Sequence, residues 1–453
     1  MIFSSATPAG PEAAPRIASL PPGPRGAIWQ TLRYVSNPQA YYLRCVARYG
    51  DMFTVPSVLG KVVAISRPSH LRALFSLPPD AFERWSVNAV EPLLGARSVL
   101  LTSGELHLQQ RRMIAPAFHG ARIQAMAGRI SHITNAHATQ WPEGRSFRLQ
   151  DKLVDLSIDV VLGTVLGIDD ELTLRSFRKA ILNTLAAMGP TLMLARAVDE
   201  RLAALGPYAK FLRARRELDQ LLFTQIDLAL VASGNAEHVL SMLVAARDEA
   251  GRGYGRDELR DQLMTLIFAG HETSAIALTW SIYWLHRCPE TLLNLEQELA
   301  EHDECGRAEV ARLPYLDSVC KESLRLHPTV PEVIRKLKQP LQLDGTYLPA
   351  GTAVAACIVA THHREDLYAE ASQFRPARFA HRRYAGNEYL PFGGGVHRCA
   401  GEAFAWLEMK VILATLIRRW QFSLVNSRPA TPVLRSITME PRGGVPVIVR
   451  GRK

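Results

Sequence analysis

Residues 391–401 read Pro-Phe-Gly-Gly-Gly-Val-His-Arg-Cys-Ala-Gly, and a helical pattern follows at Phe404, Leu407, Ile412, Leu413, Leu416 and Ile417. Cys399 therefore stands at the entry to a helix, just after a glycine-rich bend. Free backbone N–H groups and the positive end of a helix lower a thiol pKa and favour the thiolate. Glycines let the backbone approach a flat ligand closely and donate to the sulfur. A thiolate held this way suits the axial position of a haem iron, where its electron donation favours O–O cleavage on the opposite face. A lone cysteine beside a turn is more often buried and inert. The whole spacing pattern, not the cysteine alone, carries the assignment.

A second group of reactive side chains lies upstream. Leu263 to Leu285 reads as a long apolar helix interrupted by Ala269-Gly270-His271-Glu272-Thr273. Gly and Thr are poor helix formers, so the centre should be weakened. The Thr273 hydroxyl can turn to the Ala269 carbonyl and help open the helix there. A diatomic ligand and a water would fit the resulting groove. Thr273 could hydrogen-bond that ligand while Glu272 relays protons. His271 reads as a bystander. An ordinary kinked core helix is the competing explanation.

The remaining candidates are ionic. Glu322 and Arg325, three apart in Lys321-Glu322-Ser323-Leu324-Arg325, are neighbours on a predicted helix. Glu322 borders a face carrying Val319 and Leu326, which points to burial. His107 and Arg111 share one helix face, and Arg335 follows Pro331-Glu332-Val333-Ile334.

The elements that must position these groups are mostly helical. Periodicity predicts helices over 38–49, 104–118, 121–140, 151–166, 170–188, 208–233, 257–287, 289–303, 314–326 and 401–419. Hairpins are expected over 51–66, split at Gly60, and over 341–358, turning at Asp344-Gly345. Residues 1–27 read as a flexible Pro/Ala-rich leader, and 28–453 as one integrated domain, mainly α with a small β region.

Composition narrows the function further. The chain has 453 residues, 47% hydrophobic and 21% charged, enough for a large core. Its net charge is +10, yet no run of five basic residues occurs, which argues against nucleic acid. None of the six cysteines forms a C-x-x-C pair, and sparse cysteines suit a reducing cytoplasm. No N-terminal apolar stretch approaches ~18 residues, so neither signal peptide nor membrane anchor is expected.

The pattern Phe-x-x-Gly-x-His-x-Cys-x-Gly is met without departure at Phe392, Gly395, His397, Cys399 and Gly401. It resembles the haem-binding signature of the cytochrome P-450 superfamily. The Ala269–Thr273 segment resembles that family's Ala-Gly-x-Asp/Glu-Thr element. Glu322 and Arg325 resemble its Glu-x-x-Arg pair, and Phe374-Arg375-Pro376-Ala377-Arg378-Phe379 supplies the third member, Arg378. The resemblance spans nearly the whole chain and implies the superfamily's fold, with haem between the oxygen-binding helix and the cysteine-loop helix.

It implies haem b with Cys399 as the metal ligand, in a loop shaped by Phe392, Gly395 and Gly401. Ala269 and Gly270 would line the haem. His397, His107, Arg111 and Arg335 would meet its propionates, although many relatives have Trp where His107 stands. Glu322, Arg325 and Arg378 would support the loop from behind. The implied activity is that of a monooxygenase with dioxygen as co-substrate, in a soluble bacterial protein of secondary metabolism, acting as a monomer. Because the chain ends soon after Cys399, electrons are expected from a ferredoxin or flavodoxin with its NAD(P)H reductase. Arg111 or Arg112, Arg398 and Lys410 would form a basic docking face.

Two alternatives remain at this level. One is a non-catalytic haem-thiolate sensor, which would need no proton relay. The other is a hydrogen-peroxide-using peroxygenase, disfavoured by the intact Glu272-Thr273 pair.

Substrate is the least legible part. Residues 82–100, with Trp85, Val90 and Leu94, are expected over the distal pocket, and 170–235 as a mobile lid. Ile267, Phe268, Ala269, Val330, Val333, Ile334 and Ile437 are candidate walls. They are apolar, which suits hydroxylation or epoxidation of a lipophilic terpenoid, fatty acid or polyketide. The same residues would also serve as plain core.

Overall fold

The computed structural model describes residues 19–58, 60–83, 87–118, 120–188, 206–232, 238–302 and 306–453. Its spine is the 32-residue helix Arg256–Arg287. Buried residues fall on every side of it, from Leu259 and Leu263 through Ile276 and Trp280 to Leu285. A helix that is apolar all round has to lie inside the protein. Helices Leu149–Val161, Pro207–Val231, Pro314–Leu326 and Glu402–Arg419 pack around it. Its first turn is closed by the Gly255 N–H donating to Glu258 Oε2 at 2.8 Å.

The strands gather into a β corner. Gly60–Ile65 pairs antiparallel with Met52–Ser57 and parallel with Ala353–Cys357. The sheet continues through Glu332–Leu337 to Phe82–Glu83. The hairpin expected over 51–66 is present. Asp344 and Gly345 form the second expected turn, with φ of 42° and 80°. Its arms are short, Leu341–Leu343 and Thr346–Leu348. The expected extension to 358 does not occur. Ala353–Cys357 is buried at all five positions and becomes an inner strand of the large sheet.

Most helices lie within a few residues of their predicted bounds. The 121–140 segment is divided into Ala121–Ala125 and Ala127–Ala138. The 151–166 segment begins at Leu149 and ends in a π-helical turn, Leu162–Leu166, closed by Gly167 at φ 75°. Helix Ala27–Ser36 was not expected, because its apolar residues face away from the core. Of the expected leader, residues 1–18 lie outside the described residues. Among the described residues, no helix is long and apolar enough to cross a membrane.

The support behind the cysteine loop is assembled by Pro314–Leu326. Glu322 and Arg325 have no exposed side-chain surface. Arg325 Nε donates to Glu322 Oε2 at 2.8 Å and Nη2 to Oε1 at 2.9 Å. Its remaining donors reach the carbonyls of His362 and Ala371, both at 2.8 Å, and of Gln373 at 3.0 Å. Arg378 Nε meets Glu322 Oε1 at 3.0 Å, so the three residues do form one network. The chain continues to the loop through His362, whose Nε2 accepts the Leu390 N–H at 2.9 Å. Burial pushes the His362 ring well below the ordinary histidine range, so it stays neutral and can accept.

A second buried acid ties three helices together. Glu408 has no exposed surface and accepts hydrogen bonds from Ser157 Oγ and Ser274 Oγ, each at 2.6 Å. Burial raises its carboxyl to about 7 despite both hydroxyls.

Two outcomes follow. Glu322→Gln leaves two arginines around a neutral amide, and should cost about 3–5 kcal/mol of stability. A urea midpoint equal to that of the parent chain would refute the network's role. For Glu408 the folded state binds its proton more tightly than the unfolded chain. Stability should therefore fall as pH rises from about 4.5 to about 7, by on the order of 3 kcal/mol. Glu408→Gln removes that loss, so its stability relative to the parent should rise with pH across this window. Parallel pH profiles from denaturant titrations would contradict this.

Candidate functional site

The cysteine loop is built from its own backbone. Gly393 N–H donates to the Leu390 carbonyl at 2.9 Å, and Arg398 N–H to Gly395 at 3.1 Å. Cys399 N–H closes the loop on the Phe392 carbonyl at 3.0 Å. The Phe392 ring meets Trp406 edge-on, with centroids 5.2 Å apart. Gly395 has φ 67°, and a Cβ there would lie 2.8 Å from the Phe75 carbonyl oxygen. At Gly394 a Cβ would lie 2.5 Å from the Phe75 ring. These two glycines allow a close approach to helix Pro68–Phe75. Gly401 is different, because a Cβ there would meet nothing within 4 Å. Its N–H hydrogen-bonds the Cys399 thiol.

Cys399 is solvent-accessible although it lies deep in the protein. Burial pushes its thiol up, while the Gly401 N–H, Arg111 and Arg398 pull it down. The upward effect is the larger, and the Gly401 N–H at the helix entry opposes it as expected. A charged sulfur here needs a bound cation, as a metal centre supplies.

On the central helix the Thr273 hydroxyl donates to the Ala269 carbonyl at 2.7 Å, as expected. The helix nevertheless runs from Arg256 to Arg287 without a break, because this bond adds to the backbone ladder and does not replace it. Ala269 is exposed midway along this largely buried helix, so a space reaches its centre there. Burial raises the Glu272 carboxyl, with Arg435 opposing and Glu440 reinforcing the shift. His271 is buried, its Nδ1 hydrogen-bonded with the Ile267 carbonyl at 2.8 Å, which suits the bystander reading.

The four cationic candidates do come together. The His107 and His397 rings lie 4.2 Å apart. His107 has its two nitrogens at the carbonyls of Val99 and Val396, at 3.0 and 3.2 Å. It joins its helix to the cysteine loop and presents no free nitrogen. Arg111 donates to the Arg398 carbonyl beside Cys399. Arg335 donates to the Ile334 carbonyl at 2.9 Å, and burial lowers it to about 10. Among the described residues, neither arginine pairs with a carboxylate. His397 falls to about 3, through burial and then the nearby Arg335, His107 and Arg111. Its Nδ1 is buried with no hydrogen-bond partner. Unneutralised cations beside an orphaned imidazole suit a ligand with carboxylates, and the thiol suits a soft metal. The residues present fit a haem.

The other cations behave differently. Arg112 pairs with Glu249 at 2.7 Å, Arg398 with Glu402 at 2.6 Å and Lys410 with Asp317 at 2.5 Å. The expected basic docking face is therefore largely neutralised by its own acids.

Among the candidate walls, Phe268, Val330, Val333 and Ile334 are half-buried. Ile437 is 67% exposed, at the turn of hairpin 432–441, whose Arg435 and Glu440 act on Glu272. Val90 is half-buried against the main core. Leu94 and Ile267 are buried within that core, which makes them packing residues and not walls. Trp85 lies outside the described residues. So do 189–205 and 233–237 of the expected lid.

Three residues escaped sequence reasoning: Glu408, His362 and Phe75. Glu408 had a usable signal, since it lies four after Phe404 and one after Leu407 on the apolar stripe. The other two are set by distant segments and had none.

Comparisons agree with this geometry. The cytochrome P450 family model matches residues 20–445. "Putative cytochrome P450 135B1" of Mycobacterium tuberculosis is 34% identical, covering 96% of this chain and 92% of its own. "Putative cytochrome P450 137" of the same species is 31% identical, covering 97% and 93%. Among solved structures, a retinoic acid-bound cyanobacterial CYP120A1 is 26% identical, with a TM-score of 0.82, covering 96% of this chain and all of that one. The heme domain of cytochrome P450DA superposes with a TM-score of 0.84 at 21% identity, over 97% of this chain and 99% of that one. The mostly helical architecture with its β corner, the accessible cysteine and the match over nearly the whole length agree: the chain belongs to the cytochrome P450 family, monooxygenases that carry haem b on a cysteine thiolate and use dioxygen.

Proposed function

We propose that Cys399 is the thiolate ligand of the haem and that Thr273 and Glu272 handle protons on the opposite side. The observation that carries this reading is the accessible Cys399 beside Arg111, Arg335, His107 and His397, with both arginines free of carboxylate partners. Haem bound by a thiolate activates dioxygen and supplies the oxygen atom inserted into the substrate. The protein's own part is binding, orientation and proton handling. Arg335 and the unpartnered His397 Nδ1 would donate to the propionates. Arg111 steadies the Arg398 carbonyl next to the ligand, and His107 ties helix to loop. Phe392, Gly395 and Gly401 hold the cysteine in place, and the exposed Ala269 would face the haem, whereas Gly270 lets the central helix approach Val161, which a Cβ there would meet at 3.2 Å. The Thr273 hydroxyl, donating to Ala269, keeps its lone pairs free to accept a proton-bearing partner. Glu272 holds its proton to higher pH than an exposed carboxyl and can then release it.

The substrate is a lipophilic molecule of terpenoid, fatty-acid or polyketide type. Support comes from the exposed apolar Ala269 beside Glu272 on the central helix and from the retinoic acid held by the cyanobacterial relative, while Ile334 packs into the core with Tyr41, Tyr42 and Phe53 and is no wall. Electrons come from a separate ferredoxin or flavodoxin with its NAD(P)H reductase, to a monomeric cytoplasmic enzyme. Because Arg112, Arg398 and Lys410 are already paired, that partner is recognised more by shape and Arg111 than by bare charge.

Two measurements test the site. The reduced carbon-monoxide complex should show the red-shifted Soret band of thiolate ligation, and Cys399→Ala should abolish it. Survival of the band in that variant overturns the ligand assignment. Thr273→Ala should keep most NAD(P)H consumption but lower product per NAD(P)H several-fold, with peroxide making up the difference. Unchanged coupling removes Thr273 from proton handling.

A further inference from the structure

Helix Ala27–Ser36 is turned inside out. Its large apolar residues Ile28, Trp29, Leu32 and Val35 are 68%, 69%, 56% and 43% exposed. Their spacing puts them on one contiguous arc of about 120°. The opposite side faces the protein, with Gln30 buried and the Tyr34 hydroxyl donating to Glu332 at 2.6 Å. Val58, 63% exposed at the tip of the first hairpin, adjoins the helix, since its N–H donates to Thr31 Oγ1 at 3.3 Å. Contiguous exposed apolar surface of this kind marks a contact site.

Charge decides what it contacts. Between residues 19 and 79 the sequence holds Arg25, Arg33, Arg44, Arg48, Lys61, Arg67 and Arg72, and its one acid is Asp51. Asp51 is already engaged by Arg67 and Arg364. Immediately beside the apolar arc lies a cleft lined by Pro21, Pro24, Arg25, Gly26, Pro56 and Lys61. Arg25 and Lys61 form no ion pair among the described residues. A Trp- and Leu-bearing face edged by unpaired cations is the composition of an interfacial helix.

We propose that this face docks on an anionic lipid surface. Ile28, Trp29, Leu32, Val35 and Val58 enter the headgroup–acyl boundary, and Arg25 and Lys61 take a lipid phosphate in their cleft. The association is peripheral. It is independent of which substrate the enzyme oxidises, and would bring the protein to the phase where lipophilic molecules collect.

The test is co-sedimentation of the haem-loaded full chain with phosphatidylcholine vesicles, with and without a third of phosphatidylglycerol. Binding should be at least about tenfold tighter to the anionic vesicles and fall in high salt. Ile28→Asp with Leu32→Asp should abolish it, and Arg25→Glu with Lys61→Glu should remove the preference for anionic lipid. All four side chains are exposed, so both variants should keep the carbon-monoxide spectrum of the parent, which checks folding separately. Three results overturn the proposal: no binding by the parent, equal binding by the apolar variant, or a concentration-dependent dimer that the apolar variant dissolves while vesicles bind neither.

Discussion

Arg325 is buried with no exposed surface, and each of its five N–H donors has an acceptor. Two go to the Glu322 carboxylate and three to the carbonyls of His362, Ala371 and Gln373. A guanidinium this deep is tolerable only when every donor is used and its charge is matched. The same constraint fixes three separate stretches of chain against Pro314–Leu326. His362 passes that order on, since its neutral ring accepts the Leu390 N–H at the start of the cysteine loop. The position of Cys399 is thus set by an ion network that never touches it.

Charge is divided unevenly around that centre. Behind the loop, acids and bases are matched: Glu322 with Arg325 and Arg378, Asp317 with Lys321 and Lys410, Glu402 with Arg398. Beside the cysteine they are not, because Arg335 and Arg111 meet the neutral rings of His107 and His397 and no carboxylate. Acids that hold their protons lie elsewhere, Glu272 on the central helix and Glu408 in the core. Glu272 and Glu408 are both raised by burial, Glu408 to about 7. A protein seldom accumulates unmatched buried charge without a use for it, and perturbed groups gather at functional sites. Here the unmatched arginines suit carboxylates on a ligand, the proton held by Glu272 suits a reaction that consumes protons, and that held by Glu408 belongs to the packing of three helices.

The second tension is between packing and reactivity on the central helix. Its apolar surround makes it the spine of the fold, while Ala269 opens onto a space at mid-length. The helix stays continuous because the Thr273 hydroxyl shares a carbonyl already within the ladder. Ser274, the next residue, turns to the other side and binds Glu408. Neighbouring hydroxyls on one turn thus serve the site and the core.

Much of this protein is legible in local sequence. Periods of 3.6 placed the long helices, since burial of a stripe requires that spacing, and Asp344-Gly345 announced its turn because both residues tolerate positive φ. The spacing of Phe392, Gly395, His397, Cys399 and Gly401 marked the cysteine loop, and the Thr273 bond to the Ala269 carbonyl was legible too, although the helix opening expected from it does not occur. Tertiary structure decided what depends on meetings between distant segments. It sent 353–357 into the large sheet, paired the glycines with Phe75, and gave His107 two carbonyls. It neutralised the docking cations, and turned the apolar face of Ala27–Ser36 outward. Burial, which sets the direction of the Cys399 and Glu408 pKa shifts, belongs to the same class. Residue types and spacing determine which chemistry a chain can perform, because those are properties of neighbours along the backbone. Charge balance and solvent access arise only when segments hundreds of residues apart share one environment.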